Sequence, residues 1–393
     1  MLKNKTVVLG VTGSVAAYKI AGLARMLKKL GANVHVLMTK NAENFINPFT
    51  FETLTQNKCL IDTFDRSFKY SVEHVAIAKA ADVVMIAPAS ANVIGKIANG
   101  IADDMLTTTV MACPCKKIIA PAMNHNMYHN PIVQDNIDKL KKYGYEIVPP
   151  EHGMLANGDT GDGRMPEESV LLEYILREIC HEHDLADKRV IVTAGATCEA
   201  IDPVRYITNR STGKMGIAIA KAALYRGAAV TLIKGHTDVA PPALVDTVEA
   251  ESAEDMYNAV MSREADIIIK AAAVADYTPV SPADEKIKKT DADTSIKLKR
   301  TKDILKALGE DKRAFICGFS METENVIENS RKKLINKNAD MICANSLRQD
   351  GAGFGTDTNV ITIITEDNME ELPIMSKFDA ANAILDRIGE MIK

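Results

Sequence analysis

Apolar positions along the chain alternate between two rhythms. Short β-rich runs at residues 7–11, 34–38, 83–87, 118–122 and 146–148 are separated by stretches with helical spacing. After Gly13, for example, Ala17, Ile20, Ala21, Ala24 and Leu27 recur at the period of a helix, and the pattern stops near Gly31 before the next run. Strand, helix and strand in that order predict a βαβ unit, and its repetition predicts a parallel sheet covered by helices. The second half repeats the scheme, with strands expected at 190–194, 230–234, 267–271, 315–318 and 340–344. Two stretches depart from it. Residues 286–301 are rich in lysine and read as an exposed loop or flap, and residues 359–364 read as an edge strand added late. Between the halves the polar run 180–188 (CHEHDLADK) interrupts both rhythms and predicts a domain boundary, placed between residues 187 and 188.

Both halves open alike. Residues 5–13 (KTVVLGVTG) and 188–195 (KRVIVTAG) are apolar runs delivered into a glycine turn, and a helical pattern follows each. A parallel strand ending in such a turn leaves backbone N–H groups at the next helix start, where α/β folds hold phosphate. Two such starts predict two ligand sites.

Composition narrows the class. At 393 residues the chain exceeds one ordinary core and fits two domains of roughly 150 to 200 residues. The absence of Trp, with only 5% aromatic residues, argues against base stacking on nucleic acid, and the net charge of -5 argues against a general polyanion binder. The seven cysteines are scattered without a CxxC pair or zinc spacing and read as reduced thiols. No apolar leader precedes the first strand, and no run reaches the roughly 18 apolar residues of a membrane span. A cytoplasmic protein without membrane or nucleic-acid partners is expected.

In the first half, residues 10–19 (GVTGSVAAYK) lack the GxGxxG spacing, so the dinucleotide fingerprint fails and an NAD-dependent dehydrogenase is disfavoured. Gly13 and Ser14 at a helix start still suit a single phosphate, although a tight turn alone would look the same. Residues 87–92 (APASAN) bring Ser90 and Asn92 to the same sheet edge, where a flavin or nucleotide would lie. Asn124, in PAMNHNMY at 121–128, offers two donors and an acceptor in one plane, suited to a carboxylate or amide but also ordinary after a strand. His74 is a side chain of the type that can act as a base, though a lone helical His is more often structural. Residues 157–165 (NGDTGDGRM) pack three glycines and Arg164 into a segment that reads as a lid too flexible for scaffold.

In the second half, residues 202–216 (DPVRYITNRSTGKMG) lack the leading glycine of a Walker motif, yet Ser211, Thr212 and Gly213 can open a helix toward a phosphate, with Arg205 and Asn209 just ahead. A capped helix after a loop would read identically. Residues 271–277 (AAAVADY) put small side chains at a strand end, where a flat base can approach and Asp276 can meet it. The run 286–289 (KIKK) is by itself a solvated charge cluster, but beside phosphate-facing loops it reads as a mobile flap over a triphosphate. Lys333 and Lys337, one helical turn apart, can join it.

Taken together, residues 1–180 resemble the flavin-dependent cysteine decarboxylases, in the phosphopantothenoylcysteine decarboxylase branch. The resemblance rests on 10–19, His74, 121–128 and the lid. It implies bound FMN with contacts at Gly13, Ser14, Thr39, Ser90 and Asn92, His74 as catalytic base, Asn124 on the substrate carboxylate, and Met127 and Arg164 as substrate contacts. Losing CO2 from an acylcysteine would leave an unstabilised carbanion, and the flavin is the temporary oxidant that supplies an electron sink. Many members carry a proton-donating lid cysteine where this chain has Asn157, which implies a slow final step. Residues 188–393 resemble phosphopantothenoylcysteine synthetase on the segments 205–216 and 271–289. That resemblance implies CTP as substrate, Mg2+ on its phosphates with ligands unknown, and Asn209 and Lys286 in catalysis. It also implies contacts of Arg205 with substrate and of Ala271, Ala272, Asp276, Asp303, Ile304, Phe319, Lys333 and Lys337 with nucleotide; of 301–304 (TKDI) only the last two positions follow the family pattern.

The expected fold class is therefore α/β, with two Rossmann-like domains of mainly parallel sheet. Residues 1–187 form a flavodoxin-like FMN-dependent decarboxylase and residues 188–393 a CTP-dependent ligase. Their order implies one coenzyme A biosynthetic enzyme acting on 4'-phosphopantothenate, L-cysteine and phosphopantothenoylcysteine, assembled from decarboxylase trimers joined through ligase dimers. The rival is a first domain that is a non-catalytic flavin-fold regulatory subunit, beside an active ligase. Asn157 is its one support, and His74 and Asn124 argue against it.

Overall fold

The computed structural model describes residues 1–63, 73–156, 158–289, 295–322, 324–346 and 355–392. These form two compact units, 1–181 and 182–393. The division falls within the polar run, earlier than the expected 187/188, because residues just before 188 are held by the second unit. Leu185 is buried there, its N–H bonded to the Arg226 carbonyl, and Asp184 takes the Arg226 guanidinium.

The first unit contains β1 (Thr6–Val11), β2 (Asn33–Met38), β3 (Val83–Ala89), β4 (Lys116–Pro121) and β5 (Glu146–Ile147). They pair in parallel in the order β2-β1-β3-β4-β5, the flavodoxin-like arrangement. Every residue of β1 and β3 is buried, as strands covered by helices on both faces must be. On one face Val8, Val84, Ile86 and Ile119 pack with Val93, Ile94, Leu106, Val110, Ile137 and Leu140 from the helices, each such burial contributing about 1.5–3 kcal/mol. The hairpin β6 (Glu151–Met154) and β7 (Thr160–Arg164) follows.

The second unit opens with β8 (Arg189–Ala194) and the short pair β9 (Cys198–Ala200) and β10 (Tyr206–Thr208). Next come β11 (Ala229–Lys234), β12 (Asp246–Glu249), β13 (Ile267–Lys270) and the antiparallel ribbon of β14 (Tyr277–Pro279) and β15 (Leu298–Arg300). Then follow β16 (Phe315–Glu322), β17 (Met341–Ser346), β18 (Thr358–Asn359), β19 (Ile361–Ile364) and β20 (Met369–Glu371). The main sheet runs β12-β11-β8-β13-β16-β17-β19-β20, paired in parallel except that β19 is antiparallel to both β17 and β20. The stretch 359–364 is thus not the edge: β19 has β20 beyond it. The lysine-rich stretch expected as a loop contains β15, so its residues 298–300 are ribbon. Among the described residues no helix is long and apolar enough to cross a membrane.

The helix Lys214–Tyr225 lies so close to β8 that a Cβ on Gly216 would stand 2.6 Å from the Ala194 Cβ and 2.9 Å from the Thr193 oxygen. Backbone atoms on that side cannot yield. Gly216→Ala is expected to destabilise the second unit by about 1–3 kcal/mol, read as a lower midpoint in urea unfolding; an unchanged midpoint would show that the contact relaxes freely.

Candidate active sites

In the first unit the strand order reverses between β1 and β3, and the crevice lies beyond their carboxyl ends. The buried Thr12 hydroxyl donates to the Pro88 carbonyl at 2.7 Å and accepts from the Ser90 N–H at 2.9 Å, pinning the two strand ends together. Gly13 lets a third loop approach, since a Cβ there would stand 2.8 Å from the Asn41 Cβ. Ser14 caps the short 3-10 helix Val15–Tyr18, and Ser90 caps the helix Ala91–Ala98, on which Asn92 is exposed. At the end of β2 the Thr39 hydroxyl oxygen is buried without a hydrogen-bond partner. Such an orphan costs about 1–3 kcal/mol, which a ligand's polar atom would recover.

A cavity of about 640 Å³ opens here, with Ser14, Tyr18, Lys19, Asn124, Arg164 and Glu167 as the polar part of its wall. Lys19 is buried and donates to Glu167 Oε1 at 2.9 Å, and Arg164 Nη2 reaches the same oxygen at 2.7 Å. The Lys19 ammonium, with Arg164 behind it, holds the Glu167 carboxyl below its ordinary pKa. Asn124 caps the helix His125–Tyr128, its Oδ1 accepting from the Asn126 N–H at 2.9 Å. With the acceptor so engaged, the amide N–H groups are what Asn124 has left for a ligand.

The hairpin forms the other wall. The Met123 N–H donates to the Gly163 oxygen at 3.1 Å, with Gly163 at φ +121° and a hypothetical Cβ only 2.2 Å from the Met123 oxygen. At Gly161 a Cβ would stand 2.8 Å from the His125 ring. These glycines serve close approach within a paired strand, which corrects the reading of 157–165 as too flexible for scaffold. His74 is half-buried in the first turn of the helix Glu73–Ala80, and Met127 is exposed; neither belongs to the cavity wall. Asn157 lies outside the described residues.

The second unit reverses its strand order between β8 and β13. Gly195 (φ +81°) and Gly213 (φ +75°) meet there: a Cβ on Gly213 would stand 3.3 Å from the Gly195 Cα. Gly213 begins the helix Lys214–Tyr225, and no side chain caps that start. Opposite, the Thr193 and Thr197 hydroxyls accept from the Ala272 and Ala275 N–H groups at 3.1 and 3.0 Å, fixing the loop after β13. Asn209 joins it by donating to the Ala273 carbonyl at 3.1 Å.

A cavity of about 490 Å³ brings together Asn209, Ala271, Ala272, Asp276, Phe319 and Lys333 of the expected residues. It adds Lys214, Lys270, Lys377, Asn345 and Asn359. Burial, then the neighbouring Lys333, push the Lys270 ammonium down to about 8, and burial, then Lys214, lower Lys377. The side-chain oxygen of Asn345 is buried without a hydrogen-bond partner.

The other expected residues lie elsewhere. Ile304 is in the hydrophobic core, so only its backbone could reach a ligand. Asp303 caps the helix Ile304–Asp311 through the Lys306 N–H at 2.9 Å and pairs with Lys337 at 2.6 Å; burial opposes its ionisation, but these partners outweigh it and lower its pKa. Arg205 is engaged: its Nε donates to the buried Asp202 at 2.9 Å and its Nη2 to the Ile287 carbonyl at 2.7 Å, which holds the Asp202 carboxyl well below the usual range. Asp202 also accepts from the Ile287 N–H at 3.2 Å. Arg205 therefore positions the loop that presents Lys286, which is exposed and outside the cavity wall.

Thr12, Glu167 and Lys270 escaped the sequence reading. Thr12 lies inside the glycine-turn segment 10–19 without being singled out, Lys270 reads as part of a strand run, and Glu167 lies 148 positions from the Lys19 it pairs with. The i, i+4 spacing of His125 and His129 was a visible signal left unused.

Residues 1–180 match the family model described as Flavoprotein, and residues 185–391 match the DNA/pantothenate metabolism flavoprotein C-terminal domain. The chain is 46% identical to the coenzyme A biosynthesis bifunctional protein CoaBC of Bacillus subtilis, across 100% of this chain and 98% of that one. To the Escherichia coli protein of the same name it is 38% identical, covering 98% and 97%. Similar solved structures include the C-terminal domain of a CoaBC protein, at 44% identity and TM-score 0.47, covering 54% of this chain and 98% of that one. Another is a PPC decarboxylase mutant complexed with pantothenoylaminoethenethiol, at 32% identity and TM-score 0.40, covering 44% and 96%. Full-length identity at this level means that the chain belongs to the family of coenzyme A biosynthesis bifunctional proteins CoaBC.

Proposed function

We propose that the second unit joins L-cysteine to 4'-phosphopantothenate at the expense of CTP, through an acyl-cytidylate. The first unit then decarboxylates the phosphopantothenoylcysteine so formed to 4'-phosphopantetheine. The observation that carries this reading is that each sheet opens a cavity at its switch point, and each wall holds residues that the family resemblance names: Ser14, Asn124 and Arg164 in one, Asn209, Asp276, Phe319 and Lys333 in the other. In the first unit FMN supplies the electron sink for loss of CO2. Its fit is supported by the cavity beside Gly13 and Ser14 and by the unpartnered Thr39 hydroxyl; Ser90 and Asn92 complete the set proposed to hold it.

The chain's own residues supply the rest. The Asn124 amide N–H groups grip the substrate carboxylate, and Arg164, steadied by Glu167, adds positive charge at the same wall. His74 is proposed as the base. In the second unit the uncapped start of Lys214–Tyr225 faces the nucleotide phosphates, with Lys214, Lys270, Lys333 and Lys377 providing compensating charge. Small side chains at Ala271 and Ala272 leave room for the base, and Mg2+ accompanies the triphosphate. Lys286, on the Arg205-held loop, closes from outside on the leaving pyrophosphate; Asp303 and Lys337 act as a pair behind Lys270. Cytoplasmic location and an assembly of decarboxylase trimers joined by ligase dimers belong to the same reading.

The whole protein, supplied with 4'-phosphopantothenate, CTP, Mg2+ and carboxyl-labelled cysteine, is expected to release both pyrophosphate and labelled CO2, and to release neither without CTP. Pyrophosphate without CO2 would confine the activity to the ligase. Asn124→Asp keeps the helix cap but replaces the donors with a carboxylate. Loss of hydrogen bonds to a charged group, about 1.5–3 kcal/mol, should lower kcat/KM for CO2 release from phosphopantothenoylcysteine by about 10- to 150-fold with the thermal midpoint unchanged; an equal kcat/KM would remove Asn124 from the site.

Lys270 gives a pH signature. An anion bound beside it raises its pKa above the free value of about 8, so the charge contribution is complete below that pH and is lost as pH rises through the bound-state pKa. CTP affinity, measured calorimetrically, should therefore weaken above pH 8 by up to about tenfold per pH unit, and Lys270→Met should abolish that slope. A flat profile from pH 7 to 9.5 in the unaltered protein would contradict this assignment.

A further inference from the structure

Three imidazoles and a carboxylate that the proposed chemistry does not use meet where the hairpin touches the helical turn after Asn124. His125 and His129 stand one turn apart: the His129 N–H bonds to the His125 carbonyl at 3.0 Å, and the rings lie 4.5 Å apart between centroids. Asp162 of β7 faces them, with Oδ2 at 2.7 Å from His129 Nε2 and 4.0 Å from His125 Nδ1. Its other oxygen is held by His152 Nδ1 of β6 at 2.9 Å. The Asp162 N–H donates to His125 Nδ1 at 3.1 Å, so that ring's lone pair is turned into the cluster. Gly161 makes this seat possible, because a Cβ there would lie 2.8 Å from the same nitrogen.

One donor atom each from His125, His129 and Asp162 lies within 4.8 Å of the others. Donors converging on one ion at about 2.0–2.2 Å need only modest side-chain movement from there. Two histidines four residues apart on a helical turn, with a carboxylate from another element, form a donor set for borderline divalent ions, whereas Mg2+ and Ca2+ prefer oxygen ligands alone. We propose that His125, His129 and Asp162 bind one divalent transition-metal ion of the zinc type, and that this ion fastens the hairpin to the turn that carries Asn124. The ion replaces the proton between His129 Nε2 and Asp162 Oδ2, which moves to His129 Nδ1, and it takes the His125 lone pair from the Asp162 N–H. His152 keeps hold of the outer carboxylate oxygen and so aims the inner one. The cluster is partly exposed, so water fills the remaining positions.

The test uses tag-free, chelator-treated full-length protein titrated with Co2+, whose visible absorption reports a histidine–carboxylate site. One saturable site per chain is expected, displaced by Zn2+ and unaffected by excess Mg2+. His152→Ala should weaken binding by about 10- to 100-fold, and the double variant His125→Gln, His129→Gln should lose the signal while far-ultraviolet circular dichroism stays native. Zn2+ should also slow amide exchange at residues 160, 161, 163 and 164, which flank the released Asp162 N–H, in the unaltered protein but not in the double variant. Absence of saturable binding, the same cobalt spectrum in the double variant, or exchange at those flanking residues indifferent to Zn2+ would overturn the proposal. None of these readouts depends on either enzymatic activity.

Discussion

Close approach of backbone to backbone at the carboxyl edge of each sheet is the constraint on which the rest of this molecule depends. In the second unit Gly195, Gly213 and Gly216 let the turn after β8 and the start of the following helix pack with no Cβ between them, and in the first unit Gly13 and Gly163 do the same for the loops around the cavity. Because the loops come this close, hydroxyls can stitch them: Thr12 bridges Pro88 and Ser90, while Thr193 and Thr197 hold the loop after β13. The crevices are therefore consequences of strand order plus missing side chains.

Charge is then placed on this frame in two different ways. In the first unit Lys19 and Arg164 share the carboxylate of Glu167 at the cavity wall. In the second unit Lys270, Lys333, Lys377 and Lys214 share one cavity, and burial first, with the neighbouring lysines second, depresses the pKa of Lys270 and Lys377. An anionic ligand would offset the positive charge that burial disfavours there. This difference between the units agrees with a division of labour between a decarboxylase and a nucleotide-consuming ligase.

Much of this was legible in the chain. Strands buried on both faces, such as β1 and β3, are continuous apolar runs, and ten strands of the two sheets were readable from period and β-branching alone. The short β12, half-buried and polar at both ends, carried no such signal, nor did the hairpins, whose pairing depends on partners rather than on their own sequence. The edge position of 359–364 was misjudged because β20 (MEE) is wholly exposed and reads as loop. Among site residues, those in glycine-flanked loops were found, since loop chemistry is unusual in a helix or strand. Those that act from strand ends, such as Lys270, or through distant pairing, such as Glu167, were hidden because their neighbours explain them as scaffold. Arg205 shows the converse: an arginine in the right motif whose guanidinium is already occupied by Asp202 and the Ile287 carbonyl.

The central claim is that two separate sets of carboxyl-edge groups hold two different ligands. Hydrogen exchange by mass spectrometry on the full-length protein, with FMN and with CTP added separately, tests it directly. FMN should protect residues 12–16, 90–93 and 122–124 while leaving 211–216 and 271–275 unchanged, and CTP should do the reverse. Protection of one set by both ligands, or of neither by its own, would contradict the account.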